Sequence, residues 1–263
     1  MRRQAASAEW REQWTLFADG ERFLFDEWIA PATLEDFRGK HVLEAGCGGG
    51  QHTALLASVA ASVTAVDLAT TEIARARNQG AVNVSFVEDD AGTMDLGRVF
   101  EAVVCVGVIH HTDDPDRTFE NLYRHTAPGG LLVVWTYSAE GNALVRRVVE
   151  PARRLFLRRL PRRAVALLAR ALTAFLYPIV HGPYRLRGLR FLPYYDYFAN
   201  FRRLSFDRNV LNVFDKLNAP QTHFTSEATC RRWMAEPRFE RGSVSVRAYA
   251  GVSWSLVGRK RTA

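Results

Sequence analysis

Short, continuous apolar runs alternate with amphipathic stretches over the first half of the chain. The runs are rich in aliphatic side chains and occupy residues 42–43, 62–67, 84–87, 100–109 and 127–135. Runs without polar alternation are typical of parallel strands covered on both faces, and the stretches between them are long enough for crossover helices. The pattern predicts an α/β fold in which five strands alternate with four helices.

The end of the chain shows a different pattern. Residues 242–249 and 252–257 alternate apolar and polar side chains around Ala250-Gly251, which predicts a hairpin. Before the hairpin, Thr225 or Ser226 is suited to cap a helix. The chain is therefore predicted to form a Rossmann-like, doubly wound seven-stranded sheet, mostly parallel with an antiparallel edge strand, plus a basic helical insert.

The insert lies between these two parts. Residues 143–160 place apolar side chains on one helical stripe and arginines opposite, and Pro151 should start or kink this helix. Residues 164–180 are almost continuously apolar, with Arg170 as one interruption. We expect this second run to be too short and too interrupted to span a bilayer comfortably.

Glycines at alternate positions follow the first predicted strand. Gly46, Gly48 and Gly50 allow a sharp turn between strand and helix, and they let the backbone approach a ligand that a Cβ atom would exclude. The acidic residue Glu44 precedes them. Such a loop indicates a nucleotide cradle, although many kinds of nucleotide-binding protein share it.

Acidic residues at the ends of the next strands restrict the type of ligand that can bind. Asp67 lies 21 residues after Gly46, where one carboxylate can accept hydrogen bonds from both hydroxyls of a ribose, and Asp90 follows the third strand. Carboxylates repel a pyrophosphate but suit ammonium, hydroxyl and amine donors, which favours S-adenosylmethionine over NAD. Gln51 stands where a dinucleotide-binding loop has its third glycine.

Residues 40–137 resemble the core of class I S-adenosylmethionine-dependent methyltransferases, of the broad group that includes the ubiquinone-biosynthesis type. The similar motifs are the loop at 44–50, Val66-Asp67, Asp90-Ala91, the strand end at 107–111 and the turn at 128–130. Glu101 is a departure, because the family usually has aspartate there. The resemblance implies S-adenosylmethionine as the cofactor. The implied cofactor-binding residues are Glu44, Gly46, Cys47, Gly48, Gly50, Asp67, Leu68, Asp90, Ala91 and Val106.

The first residues carry an aromatic stripe. Trp10, Trp14 and Phe17 share one helical face, and Phe25 and Trp28 follow. We expect a helix that packs on the core. In methyltransferases that the chain resembles, such a segment often folds over the cofactor, which is the alternative.

His110 and His111 are the leading candidates for catalysis. They follow the fourth strand at the carboxyl edge of the sheet, where ligands of open α/β sheets bind. A base is needed only when the acceptor is a hydroxyl or an acidic carbon. A histidine here can instead orient the loop or contact the cofactor through its backbone. Asp113 and Asp114 can orient the base, but Asp114 before Pro115 also suits a helix cap.

The chain has a net charge of +7 that is concentrated in one stretch. Residues 138–205 contain 14 arginines and three acidic residues, a charge of +11, which leaves −4 for the remainder. Three interpretations compete: a helical lid with solvated arginines, peripheral contact with an anionic membrane or a lipid-linked substrate, and a nucleic-acid groove. Nucleic acid ranks last, because long apolar helices have no role in such a groove.

The predicted organisation has four parts. These are an N-terminal helical cap at 1–36, an S-adenosylmethionine-binding core at 37–137, a basic, apolar helical insert serving as a substrate lid at 138–225, and a C-terminal helix and hairpin at 226–263. The absence of an apolar leader and of paired cysteines predicts a cytoplasmic protein with reduced thiols, and peripheral attachment to the inner face of the membrane is the alternative. No residue spacing calls for a metal.

The sequence thus predicts a methyltransferase acting on a small, lipophilic or glycosylated acceptor by O- or C-methylation. An RNA methyltransferase and a catalytically silent S-adenosylmethionine-binding scaffold are the alternatives. The acceptor and the oligomeric state cannot be derived from the sequence.

Overall fold

The computed structural model describes residues 10–15 and 22–262. The strands are β1 (His41–Ala45), β2 (Ser62–Asp67), β3 (Val84–Glu88), β4 (Phe100–Val106), β5 (Thr126–Tyr137), β6 (Ser245–Tyr249) and β7 (Ser253–Arg259). They form one sheet in the order β3-β2-β1-β4-β5-β7-β6. Strands β1 to β5 pair in parallel, whereas β7 runs antiparallel to both β5 and β6. The predicted fold class is confirmed, with the antiparallel hairpin at one edge of the sheet.

Helices cover both faces of this sheet. They are α1 (residues 10–15), α2 (Arg22–Ile29), α3 (Gln51–Ala57), α4 (Thr71–Arg77), α5 (Pro115–His125), α6 (Glu150–Leu155), α7 (Arg162–His181), α8 (Tyr195–Phe201), α9 (Phe206–Asn218) and α10 (Glu227–Trp233). Helices α6 to α9 belong to the segment between β5 and the hairpin. The remaining helices lie against the strands or, in the case of α1, over the carboxyl edge of the sheet.

Two apolar clusters explain why the strand sequences are continuous apolar runs. Leu43 and Val103 belong to the cluster on one face of the sheet, and their neighbours Val42 and Val104 belong to the cluster on the other face. Successive side chains of a strand point to opposite faces, so a strand that is covered twice must be apolar at every position.

The order of the strands fixes where a ligand can bind. Strands β1 and β4 are neighbours, and the chain winds outward from them in opposite directions. The carboxyl ends of the strands at such a switch point form a crevice. The glycine loop after β1 and the segment after β4 therefore meet at one edge, as the sequence predicts.

The C-terminal predictions hold in detail. Ala250 and Gly251 have positive φ values of 50° and 69°, which a tight hairpin turn requires. Ser226 caps α10, and its hydroxyl accepts a hydrogen bond from the Thr229 amide at 3.1 Å.

The predicted helix over residues 143–160 is divided. Residues Val145–Val149 form a π-helical turn that continues into α6, and a short 3-10 turn at Leu157–Arg159 follows. Pro151 lies in the first turn of α6, as expected for a residue without an amide donor. The π-helical turn and the change to a 3-10 turn interrupt the regular spacing on which the predicted apolar stripe depends. Four of its members are exposed, namely Leu144, Val148, Leu155 and Phe156.

The second apolar run forms the long helix α7. One face of α7, with Val165 and Ala169, packs against Val210 and Phe214 of α9. The helix has 20 residues and a mean hydropathy of 1.6 over its most apolar 18-residue window, of which 22% is buried. By length and composition it could cross a membrane, so the expectation that it is too short and too interrupted does not hold.

Candidate active site

A large cavity opens at the carboxyl edge of the sheet, between the glycine loop, α1 and the inner face of α9. Its volume is about 1170 Å³. Pockets for a single small ligand usually measure about 300–1,000 Å³, so this cavity has room for two ligands side by side. The predicted residues that line it are Gly46, Cys47, Gly48, Asp67, Leu68, Asp90, Ala91, Val106, His110 and His111.

The glycine loop is held tightly against the end of β2. The amides of Gly46 and Cys47 both donate to the Val66 carbonyl, at 2.7 and 3.0 Å. Gly48 has a φ of 51°, and a Cβ atom there would lie 2.8 Å from the Trp14 ring. The loop therefore needs glycine both for its backbone conformation and for the close approach of an aromatic side chain.

Asp67 is fixed by backbone amides. Its Oδ2 accepts from the Gly48 amide at 2.9 Å, and its Oδ1 accepts from the Ala69 amide at 3.1 Å. These contacts join the end of β2 to the glycine loop and place the carboxylate on the cavity wall, where a ribose diol can reach it. Asp90 and Ala91, after β3, line the same wall.

Two predicted cofactor-binding residues lie outside the cavity lining. Gly50 begins α3 with a φ of 82°, and its carbonyl accepts from the Asn78 side chain at 3.0 Å. Glu44 is buried beneath the loop, where its Oε2 accepts from the Thr53 hydroxyl at 2.6 Å. Burial raises the pKa of Glu44 to about 8. Its Oε1 has no hydrogen-bond partner among the described residues.

His110 and His111 form a 3-10 turn after β4. The His110 ring is buried and contacts the Tyr137 ring, with centroids 4.1 Å apart and planes inclined by 37°. Its Nδ1 has no partner among the described residues. Burial, reinforced by the nearby His111 and Lys216, lowers the pKa of His110 well below 6.5, so this imidazole is neutral at pH 7.

His111 is held in one orientation. Its Nδ1 lies 2.8 Å from the Gln221 carbonyl, and since a carbonyl can only accept, Nδ1 carries the proton. The Gln221 side chain donates in return to the His111 carbonyl at 3.0 Å and to Asp113 at 2.8 Å. Burial lowers the pKa of His111, while Asp215 and the Gln221 contact act in the opposite direction. The neutral ring therefore presents an unprotonated Nε2.

Asp114 caps α5 and does not orient a histidine. Its carboxylate accepts a hydrogen bond from the Arg117 amide at 3.1 Å. Asp113 contacts Gln221 and not a histidine ring nitrogen. The backbone carbonyl of Gln221, and neither of these acids, therefore orients the His111 ring.

A polar cluster on α9 faces the histidines and was not predicted. Asp215 accepts from the Tyr137 hydroxyl at 3.0 Å and from the Gln13 side chain at 3.2 Å. Next to it, the Lys216 ammonium donates to the Tyr197 hydroxyl at 3.2 Å. Ser205 caps α9, and apolar residues recur at helical spacing after it, so the helix itself was detectable in the sequence. Which of its polar residues face the cavity depends on the packing of α7 on α9.

Helix α1 covers the cavity. Trp14 lies over Gly48, and the Trp10 ring approaches His111 with centroids 4.7 Å apart. Neither tryptophan belongs to the core clusters and both line the cavity, which favours the alternative of a cap over the ligand site. Phe17 lies outside the described residues. Phe25, in α2, does pack in the core.

The three cysteines are free thiols. Cys47, Cys105 and Cys230 are buried and unpaired, and burial raises the pKa of the Cys47 thiol, so the one thiol that lines the cavity is neutral. Within residues 10–15 and 22–262, no group of three histidine, cysteine, aspartate or glutamate side chains could hold a metal ion.

Comparison with known proteins places this site in a family context. Residues 43–134 match a family model described as a methyltransferase domain. A ubiquinone biosynthesis O-methyltransferase from Coxiella burnetii is 34% identical over 117 residues, which cover 43% of this chain and 50% of that protein. The enzyme of the same name from Rickettsia conorii is 25% identical over 117 residues, 43% of this chain and 40% of that protein. The chain spans half or less of the length of these curated relatives.

One solved structure resembles the whole chain in fold. The magnesium protoporphyrin IX methyltransferase (ChlM) from Synechocystis PCC 6803, crystallised with bound S-adenosylhomocysteine, superposes with a TM-score of 0.53. The alignment covers 95% of this chain and 93% of that chain at 13% identity. At this identity the likeness concerns the fold alone.

Proposed function

We propose that this chain is an S-adenosylmethionine-dependent methyltransferase that methylates a small, lipophilic acceptor at oxygen or at an acidic carbon, a proposal that the match of residues 43–134 to a methyltransferase domain supports. The observation that carries the proposal is the orientation of His111 in the same cavity as the glycine loop and Asp67. Its protonated Nδ1 is bound to Gln221, which leaves Nε2 as a base beside the ligand site.

The residues present fit the cofactor. The glycine loop forms a cradle that side chains would fill, Asp67 offers a carboxylate to a ribose, and Asp90 lies where an adenine amine can be reached. When bound, S-adenosylmethionine supplies an electrophilic methyl group on a positively charged sulfur.

The chain's own part in the reaction is positioning and proton removal. Trp10 and Trp14 cover the cavity and exclude water, and alignment of two reactants can contribute up to about 7–11 kcal/mol. A hydroxyl or acidic carbon becomes a better nucleophile as its proton moves to His111 Nε2. The Gln221 carbonyl then stabilises the resulting imidazolium through the Nδ1 proton, as an orienting acceptor does in other histidine-based sites.

The other half of the cavity indicates the class of acceptor. Trp135, Phe201, Leu204 and Leu211 give it an apolar wall. A few polar groups of α9, including Asp215, add directional contacts. A mostly apolar pocket with a small number of fixed polar groups favours a lipophilic ring or chain that bears hydroxyl groups.

The proposal is tested first by calorimetry. We expect the purified chain to bind S-adenosylmethionine and S-adenosylhomocysteine but not NAD, and Asp67→Ala to abolish that binding. Asp95→Ala is a matched control, because Asp95 also accepts from a backbone amide, at 3.1 Å, but lies in an exposed loop outside the cavity lining. If neither sulfur compound bound, the assignment of the glycine loop to this cofactor would be wrong.

Transfer of a radiolabelled methyl group then separates an enzyme from a silent binder. We expect turnover with hydroxylated, lipophilic metabolites, and loss of turnover in His111→Asn with cofactor binding retained. Binding without turnover on any acceptor would favour a scaffold role, and methylation of RNA in preference to small molecules would overturn the acceptor class.

A further inference from the structure

The surface of the insert carries most of the exposed apolar side chains of the molecule. Of the 13 exposed large hydrophobic residues within 10–15 and 22–262, ten lie between residues 144 and 191. They are Leu144, Val148, Leu155, Phe156, Leu160, Leu167, Leu172, Phe175, Leu186 and Phe191. Single exposed apolar residues need no explanation, but a concentration of this kind marks an interaction surface.

The outer face of α7 is the most continuous part of this surface. Residues 164, 167, 171, 174, 175 and 178 are exposed, and their spacing of three and four places them on one side of the helix, opposite the face that packs on α9. All six are apolar. Leu167 and Phe175 have exposed fractions of 69% and 68%. A helix of 20 residues is about 30 Å long, so this face forms an extended ridge.

Arginines accompany the apolar residues throughout the same stretch. Those that the structure places on the surface between residues 144 and 191 are Arg146, Arg147, Arg154, Arg159, Arg163, Arg170, Arg185, Arg187 and Arg190. The only acidic residue in this stretch is Glu150, which is buried and paired with Arg153 at 2.7 Å. The exposed charge here is therefore almost entirely positive.

We infer that this surface, defined as the exposed apolar and arginine side chains of residues 144–191, docks onto an anionic phospholipid bilayer. Apolar side chains enter the boundary between headgroups and acyl chains, and the arginines neutralise lipid phosphates. The contact is peripheral: α7 lies along the membrane, because its inner face is engaged by α9.

Charge excludes the simplest competing occupant. A second copy of this chain would bring the same positive surface against itself, and like charges at an interface oppose association. A nucleic acid would satisfy the arginines but would leave the apolar ridge of α7 in water. A bilayer with anionic headgroups satisfies both components.

This surface borders the cavity. Arg154 lines the cavity and is also exposed, and it lies in α6 beside the exposed Leu155. The membrane contact is thus adjacent to one wall of the acceptor site, which suits an acceptor that partitions into lipid. The docking inference itself does not depend on the proposed reaction.

The test is co-sedimentation of the purified chain with vesicles. We expect binding to phosphatidylcholine vesicles that contain roughly one third phosphatidylglycerol, little binding to pure phosphatidylcholine, and weaker binding at high salt. The double variant Leu167→Ser/Phe175→Ser should bind at least about fivefold more weakly, and Arg163→Gln/Arg187→Gln should lose about fivefold per arginine.

Matched controls remove exposed residues of the same types elsewhere. Val82→Ser and Arg117→Gln lie outside the insert, are exposed, and should leave vesicle binding unchanged. All variants should keep the wild-type melting temperature and the wild-type affinity for S-adenosylhomocysteine in lipid-free solution. Failure of the proposed function would abolish that affinity in the wild type, whereas failure of the docking inference would leave it intact.

Several results would overturn the inference. These are absence of binding to the anionic vesicles, equal losses in the insert variants and in the controls, dimerisation that the Leu167→Ser/Phe175→Ser variant disrupts, and tighter binding to RNA than to the vesicles. Resistance of the membrane-bound chain to alkaline carbonate extraction would show a spanning helix, and it would also overturn peripheral docking.

Discussion

The Tyr137 hydroxyl donates to Asp215 Oδ2 at 3.0 Å, joining the end of β5 to the helix that closes the cavity from the insert side. The two residues are 78 positions apart in the chain. Burial and the neighbouring Asp215 carboxylate raise the pKa of Tyr137 well above 10, so the phenol keeps its proton and remains a donor. The pair fixes a carboxylate on the acceptor side of the cavity.

Removing the Tyr137 hydroxyl should weaken binding of the methyl acceptor more than it destabilises the fold. Tyr137→Phe is expected to cost about 1.5–3 kcal/mol of unfolding free energy, the range for a hydrogen bond to a charged group, and to raise the KM for the methyl acceptor, since Asp215 loses a fixed partner. Tyr123→Phe is the control, because the Tyr123 hydroxyl donates to the Arg238 carbonyl at 2.8 Å away from the cavity. Denaturant unfolding and steady-state kinetics measure the two effects. An equal acceptor KM in both variants would show that the pair is only structural.

A substitution of the base should separate chemistry from binding. His111→Asn is expected to lower kcat by roughly 10²–10⁴ and to leave the affinity for S-adenosylhomocysteine unchanged. The control His125→Asn removes a buried histidine whose Nδ1 also contacts a backbone carbonyl at 2.8 Å, but which does not line the cavity. Comparable loss of kcat in the two variants would contradict a role for His111 in proton removal.

The pH dependence of the reaction follows from the same residue. Burial lowers the pKa of His111 from 6.5, so the base is unprotonated at neutral pH. We expect kcat/KM to be constant between roughly pH 7 and 8 and to fall only as the pH drops below 6.5, when Nε2 becomes protonated. A profile that rises through pH 7 would require a different base.

Glu44 should impose a pH dependence on stability. Burial raises its pKa from 4.5 to about 8, so between these values the folded chain retains a proton that the unfolded chain releases. The stabilisation is fully present below pH 4.5 and is lost as the pH rises to about 8. Relative to Glu44→Gln, the wild type should therefore lose unfolding free energy on the order of a few kcal/mol over this range.

Unfolding by denaturant across that range measures the effect. The exposed Glu236→Gln variant serves as the control and should run parallel to the wild type. A constant difference between the wild type and Glu44→Gln at all pH values would show that Glu44 titrates alike in both states.

Alanine substitutions at two glycines with similar φ values should separate the cost of backbone strain from the effect of a steric clash with Trp14. Gly48 and Gly97 have φ values of 51° and 62°, but only at Gly48 would a Cβ atom meet a side chain, the Trp14 ring. Both alanine variants should lose about 1–2 kcal/mol of stability from the left-handed conformation. Only Gly48→Ala should also weaken cofactor binding in calorimetry. If both variants bound the cofactor more weakly, the loss of binding would be due to global destabilisation and not to the clash with Trp14.

The sheet and its loop were predictable because local signals determine them. Continuous apolar runs specify the buried strands, and the glycines after β1 and the acid at Asp67 mark one edge of the sheet. The hairpin turn at Ala250-Gly251 is equally local. Each of these features depends on residues that are close in sequence.

The features that sequence reasoning missed depend on long-range packing. The Tyr137–Asp215 pair joins residues 78 positions apart, and Asp215 lies on α9, which packs against α7. The hydrogen bond that orients His111 comes from the backbone of Gln221, and a backbone carbonyl has no sequence signature. The apolar residues around Leu155 were predicted to share one helical stripe, but the sequence did not determine whether another element covers them, and the structure leaves Leu155 and Phe156 on the surface.

Helix α1 touches both halves of the cavity. Trp14 borders the glycine loop, and Gln13, one residue before it, donates to Asp215 at 3.2 Å. A ligand that moves this helix in one half changes the free energy of binding in the other half. Thermodynamic linkage makes that effect reciprocal, so the factor by which cofactor alters acceptor affinity equals the factor by which acceptor alters cofactor affinity. The adjacent side chains of Gln13 and Trp14 therefore offer one direct physical connection between the two halves of the cavity.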